Sequence, residues 1–157
     1  MLDSQRVNAQ ASGVLAFSVS KQQQQYAELP HAPNTPYVLI IDDDEAIVSV
    51  LLFLLESEQY TGVGLSDSKK VVPFLQQAGP QHLPSLILLD LMMPQLSGYE
   101  IAAALSQNAQ YAHLPIIIMT ADSRVRSASA VAGARDWIAK PFQLDTLLTK
   151  LEQYLSH

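Results

Sequence analysis

Three runs of consecutive apolar residues, each halted by a carboxylate or a hydroxyl, constrain this chain more than any other feature. Tyr37-Val38-Leu39-Ile40-Ile41 ends at Asp42 and Asp43, Leu86-Ile87-Leu88-Leu89 at Asp90, and Ile116-Ile117-Ile118-Met119 at Thr120. A short run rich in β-branched residues, with no alternation of polar positions, reads as a strand covered on both faces. Pro115 stands at the first position of the third run, where a proline is tolerated. Two shorter strands are expected at Gly62–Leu65 and at Asp136–Ala139, the latter followed by Lys140.

Between the strands the apolar residues recur at helical spacing. Ile47, Leu51, Leu54 and Leu55 define a helix beginning near Glu45, capped by Asp44 or a neighbour. Val48, Leu52 and Phe53 add a second apolar face, to be covered by the N-terminal extension or by a partner. Further helices are expected over 68–78, with Pro73 marking a kink or a late start, and over 98–107. Another is expected over 123–132, closed by Gly133, and a last one over 143–155 with Leu144, Leu147, Leu148, Leu151 and Leu155 on one face. Five alternations of strand and helix describe a doubly wound α/β fold with helices on both faces of a parallel sheet. The flavodoxin-like strand order 2-1-3-4-5 fits units of this size.

Composition bounds the function. The 157 residues suit one domain, and 48% apolar content gives it a sizeable core. A net charge of −6 argues against a nucleic-acid surface, which needs a basic face. The absence of cysteine excludes disulfides, thiolate nucleophiles and cysteine metal sites. The longest apolar run, 50–55, is far too short for a bilayer. The mildly apolar Gly13-Val14-Leu15-Ala16-Phe17-Ser18-Val19 is too short for a secretory signal, and Asp3 offsets Arg6 before it. A cytoplasmic location is expected. Residues 1–35, with Gln22 to Gln25 and Pro30 and Pro33, read as a flexible extension, and 36–157 as the folded domain. His31, His82, His113 and His157 are dispersed through loops and a terminus and suggest no metal site.

The polar residues that stop the strands carry the chemistry. Asp42, Asp43, Asp90, Thr120 and Lys140 each follow a strand, and the carboxyl ends of strands in an open parallel sheet share one ligand-binding rim. Three clustered carboxylates need positive charge among them. Lys140 supplies one, and a hard divalent cation such as Mg²⁺, which takes oxygen ligands, is the natural second. A carboxylate there can attack phosphorus and become an aspartyl phosphate, whose oxygens Thr120 and Lys140 could hold.

Val38-Leu39-Ile40-Ile41-Asp42-Asp43-Asp44, Leu86 through Asp90 to Leu91-Met92-Met93-Pro94, Ile116 through Thr120 to Ala121, and Lys140-Pro141-Phe142 resemble the receiver domains of two-component response regulators. The resemblance covers about residues 37–156. It implies that Asp90 is the phosphoacceptor and also a ligand of Mg²⁺, with Asp43 the main carboxylate ligand, Asp42 helping and the backbone carbonyl of Met92 completing the protein ligands. It makes Thr120 the switch hydroxyl, Lys140 the phosphate-facing cation and Trp137 the switching aromatic, and it implies a cis Lys140–Pro141 bond. The implied donor is a histidine kinase or phosphotransfer protein. Output would pass to an effector protein in trans, with a homodimer formed through the helix 4–strand 5–helix 5 face or through helix 1. One departure stands out: 19 residues separate Thr120 from Lys140, a couple fewer than the family usually has, and the loss falls on the surface that carries the switch. Two other readings compete. An aspartyl-nucleophile phosphohydrolase of the haloacid-dehalogenase kind would want a second aspartate where Met92 stands. A receiver-like scaffold acting without phosphorylation has no need of the intact acidic pair, Asp90, Thr120 and Lys140.

Overall fold

Asp44 starts the first helix, and its side chain shows how local chemistry sets the element boundaries. Its carboxylate accepts the Ala46 N–H, satisfying a donor that the first turn leaves without a partner. The computed structural model describes residues 29, 30 and 32–155. In chain order these form β1 (Val38–Ile41), α1 (Glu45–Ser57), β2 (Gly62–Leu65), α2 (Val71–Ala78), β3 (Leu86–Asp90), α3 (Gly98–Ser106), β4 (Ile116–Thr120), β5 (Asp136–Ala139) and α4 (Leu144–Leu155). All strand pairings are parallel and the order is β2-β1-β3-β4-β5, as expected.

The continuous apolar runs are explained by two cores, one on each face of the sheet. Leu39 and Ile41 of β1 pack with residues of α2 and α3, while Val38 and Ile40 pack with α1 and α4. Successive strand residues point to opposite faces, so a strand buried on both must be apolar throughout. β1, β3 and β4 are wholly buried, whereas the edge strand β5 is part-exposed.

Several expectations need correction. The helix predicted over 123–132 does not form. That stretch holds turns and a single 3-10 turn at Ala128–Ala130, and the positive φ of Gly133 caps no helix. Val125 and Val131 are its buried anchors. Six residues apart, they would sit about 120° from each other round a helix and could not both reach one core. The expected helix 4–strand 5–helix 5 face therefore lacks its first element. In α1 the core stripe is Val48, Leu51 and Leu55. Ile47, Leu52 and Leu54 are half-buried, and Val50 and Phe53 are exposed at 62% and 68%. Val48 thus belongs to the core rather than to the second face. Leu144 is exposed, because α4 buries Leu147 and Leu151 instead. Pro73 lies in the first turn of α2, where its missing N–H costs nothing, and a 3-10 turn at Ser68–Lys70 precedes it. Most of the flexible extension expected at 1–35 lies outside the described residues. Of its end, Leu29 packs against the α2–α3 core and Asn34 donates its N–H to Gln81 at 2.7 Å.

Candidate functional site

Strand register assembles the site. Ile41 pairs with Leu89, which puts Asp42 beside Asp90. Asp90 pairs with Met119, and Thr120 pairs with Ala139, which puts Lys140 directly past Thr120. The Lys140 N–H donates to the Thr120 carbonyl at 2.8 Å and so continues the ladder beyond β5. The Lys140–Pro141 peptide bond is cis.

Asp42, Asp43 and Asp90 each place a carboxylate oxygen so that all three lie within 4.8 Å of one another. Asp42 is fully buried, Asp90 is 5% exposed and Asp43 faces solvent. Lys140 Nζ donates to Asp42 Oδ2 at 2.6 Å and stands 3.4 Å from Asp90 Oδ1. Asp42 also accepts the Asp44 N–H through Oδ1 at 2.9 Å, so each of its oxygens carries a hydrogen bond. Asp90 Oδ1 accepts a long 3.4 Å bond from the Met92 N–H, and among the described residues no hydrogen bond reaches Asp90 Oδ2. One oxygen of the Asp90 carboxylate thus carries no hydrogen bond among the described residues.

The charges do not balance within the protein. Three carboxylates face one ammonium, leaving two negative charges in a largely buried cluster. Burial pushes the Asp90 carboxyl up to about 6, the Asp42 charge pushes it the same way, and Lys140 with the Met92 N–H pulls it partly back. Burial opposes the charge on Lys140, but its bond to Asp42 and the nearby Asp90 charge outweigh this and raise its pKa. An all-oxygen donor set with two uncompensated charges suits a hard divalent cation, and Asp43 on the exposed side gives it a point of entry.

Gly98 fixes the far wall. A Cβ there would lie 2.2 Å from the Asp90 carbonyl oxygen and 2.7 Å from Leu91 Cα, so α3 begins in contact with the backbone of Asp90 itself. Ser97 caps that helix by accepting the Glu100 N–H. Ser68 ties the 91–97 loop to the segment after β2, donating to the Pro94 carbonyl at 3.0 Å and accepting the Leu96 N–H at 3.2 Å. Neither Gly98 nor Ser68 was singled out from sequence. The Asp90-to-Gly98 spacing could have flagged the first, but no sequence signal marks the second.

Thr120 is 1% exposed, and its hydroxyl accepts the Asp122 N–H at 3.0 Å. No hydrogen bond among the described residues joins that hydroxyl to Asp90 or to the Lys140 ammonium. Trp137, half-buried on β5, packs against the α2–α3 core, on the same side as Val125 and Val131. Met92, two residues after Asp90, is 65% exposed. Among the described residues, no helix is long and apolar enough to cross a membrane.

Comparisons with known proteins agree with this geometry. The family model for the response regulator receiver domain matches residues 38–152. The DNA-binding dual master transcriptional regulator RpaA of Synechocystis is 31% identical over 122 residues, which cover 76% of this chain and 49% of that protein. The chain spans about half the length of the curated relatives it matches first. The chemotaxis protein CheY4 of Vibrio cholerae superposes with a TM-score of 0.66 at 28% identity, over 77% of this chain and 99% of that one. The response regulator TrrA of Thermotoga maritima, solved in complex with Mg²⁺-BeF, gives 0.66 at 26% identity, over 77% and 100%. Receiver domains are generally signalling modules rather than enzymes, and response regulators work with histidine kinases. With its sheet order, its acidic rim and its match over residues 38–152, the chain belongs to the response regulator receiver domain family, whose members are switched by phosphorylation.

Proposed function

We propose that Asp90 accepts a phosphoryl group from a histidine kinase or phosphotransfer protein, and that residues 36–157 then signal through contact with an effector protein in trans. The observation that carries this reading is the meeting of Asp42, Asp43 and Asp90 at one rim, with Lys140 on Asp42 and Asp90 and one oxygen of Asp90 without a hydrogen bond among the described residues. A carboxylate oxygen of Asp90 attacks phosphorus, an O–P bond forms as the N–P bond to the donor imidazole breaks, and the electron pair leaves with the donor nitrogen. Asp43 is the main carboxylate ligand of a magnesium ion, Asp42 assists, and the Met92 carbonyl completes the protein ligands. The ion supplies charge neutralisation at the transferring oxygens. That TrrA, 26% identical, was solved in complex with Mg²⁺-BeF supports magnesium as the ion.

Lys140 and Thr120 hold the phosphoryl oxygens, and Trp137 follows Thr120 when it moves. The added group carries roughly −1.5 to −2 charges, which is what biases the two-state surface. The same site hydrolyses its phosphoryl group slowly and turns over no external substrate. A net charge of −6 supports protein contact over nucleic acid for these residues, and a cytoplasmic setting fits the donor.

Incubation with Mg²⁺ and a small phosphodonor, followed by intact-mass measurement, tests the reading. One phosphoryl group should add to the wild type and none to Asp90→Ala. An unchanged wild-type mass, or a gain that survives in Asp90→Ala, would overturn it.

A further inference from the structure

The loop leaving β4 contains a hydrogen-bonded turn that ends on the Thr120 hydroxyl. Thr120 Oγ1 accepts the Asp122 N–H at 3.0 Å. Asp122 Oδ1 accepts the Arg124 N–H at 2.9 Å, and the Arg124 guanidinium grips both carboxylate oxygens, Nε at 2.9 and 3.1 Å and Nη2 at 2.8 Å. The Val125 N–H closes the turn on the Asp122 carbonyl at 3.1 Å, and the Val125 side chain is buried in the α2–α3 core. An unbroken path of bonds therefore runs from a core anchor to the hydroxyl that the acceptor chemistry uses. The turn occupies the start of the stretch where a helix was expected.

The path matters because of where the hydroxyl is held. A threonine has stiff χ1 preferences, and an N–H bonded to Oγ1 selects among them. In this orientation Thr120 makes no bond to Asp90 or to the Lys140 ammonium among the described residues, and the partner of its Oγ1 is the Asp122 N–H. Fixing Asp122 thus fixes Thr120. Arg124 is 85% exposed and Asp122 14%, an arrangement in which the guanidinium acts as an outer clasp on a mostly covered carboxylate.

Accepting Asp90 as the phosphoacceptor, we propose that Asp122 and Arg124 are positioning residues, and that their turn holds the Thr120 hydroxyl in its resting orientation and sets how readily it is drawn to the phosphoryl group. Loosening the turn raises the population in which Thr120 is free to move, and a pre-existing population is what phosphorylation draws on.

The test uses the full chain with Asp122→Ala, with Asp122→Asn, which keeps an acceptor for the Arg124 N–H, and with each combined with Thr120→Ala. The first readout is the Thr120 χ1 population in unphosphorylated protein, from methyl NMR. Asp122→Ala should redistribute it and Asp122→Asn should largely preserve it. The second readout is the rate of phosphorylation by acetyl phosphate with Mg²⁺. Asp122→Ala should speed it roughly fivefold, the scale of losing one capping carboxylate, and the same change in the Thr120→Ala background should have no effect. An unaltered χ1 population, or equal acceleration without the Thr120 hydroxyl, would overturn the proposal. A wild type that takes up no phosphoryl group would instead sink the acceptor reading, since the χ1 measurement does not depend on it.

Discussion

Lys140 Nζ lies 2.6 Å from Asp42 and 3.4 Å from Asp90, so one ammonium from the end of β5 serves carboxylates from the ends of β1 and β3. The shorter contact is to the fully buried partner, the one that solvent cannot help. Asp90 receives the weaker share of that charge and keeps a raised pKa and, among the described residues, one oxygen without a hydrogen bond.

The raised pKa of Asp90 makes a stability prediction with a definite sign. Its folded value, about 6, exceeds the ordinary 3.8, so the fold favours the protonated form. The cost of ionising it is absent below about pH 4 and grows as pH rises through 6. Asp90→Asn should stabilise the metal-free protein at pH 7.5 by on the order of 1–3 kcal/mol, the scale of a shift of about two units. Urea denaturation across pH 4 to 8 checks this; a gain that is the same at both ends would refute it.

Removing the ammonium should do the reverse. Lys140→Met strands the buried Asp42 charge next to Asp90, and breaking a buried pair on one side costs about 3–5 kcal/mol. The Asp90 carboxyl should then titrate above its wild-type value, since Lys140 is what pulls it down. Denaturation at pH 7.5 and carboxyl ¹³C titration of Asp90 measure both effects, and the stability loss should shrink in acid as Asp90 protonates.

Asp43 separates metal binding from folding. It is exposed and helps no core, so Asp43→Asn should change metal-free stability by less than about 0.5 kcal/mol. In the wild type, Mg²⁺ at a hundred times its Kd should add about 2.7 kcal/mol, and chelation should remove it. Asp43→Asn should forfeit most of that gain. Thermal melts with and without Mg²⁺ decide, and an undiminished gain in the variant would remove Asp43 from the metal site.

Gly98 and Gly62, both crowded, should respond differently to alanine. At Gly98 the new Cβ meets backbone, at 2.2 Å from the Asp90 carbonyl oxygen, and the start of α3 must move. Gly98→Ala should cost about 1–3 kcal/mol and slow phosphorylation as well. At Gly62 the Cβ meets the ends of the Leu55 and Leu52 side chains, which can rotate away, so Gly62→Ala should cost under about 1 kcal/mol. Equal losses at both positions would show that backbone contact is not what distinguishes Gly98.

The alternation of buried strands and helical stretches was legible before any coordinates, because a strand covered on both faces has to be apolar at every position, as Val38–Ile41 and Leu86–Leu89 are. The convergence of Asp42, Asp90, Thr120 and Lys140 was legible for the same reason: parallel strands present their carboxyl ends at one rim. What only the tertiary structure decided depends on competition between distant surfaces. Nothing local to 123–132 forbids a helix. It fails to form because Val125 and Val131 are both drawn into one core, which no single helical face could present. Which face of α1 is buried, whether Leu144 is covered, and that Lys140 sits nearer to Asp42 than to Asp90 were settled by how two sheet faces and five strand ends fit together, and periodicity along a single segment carries no information about that fit.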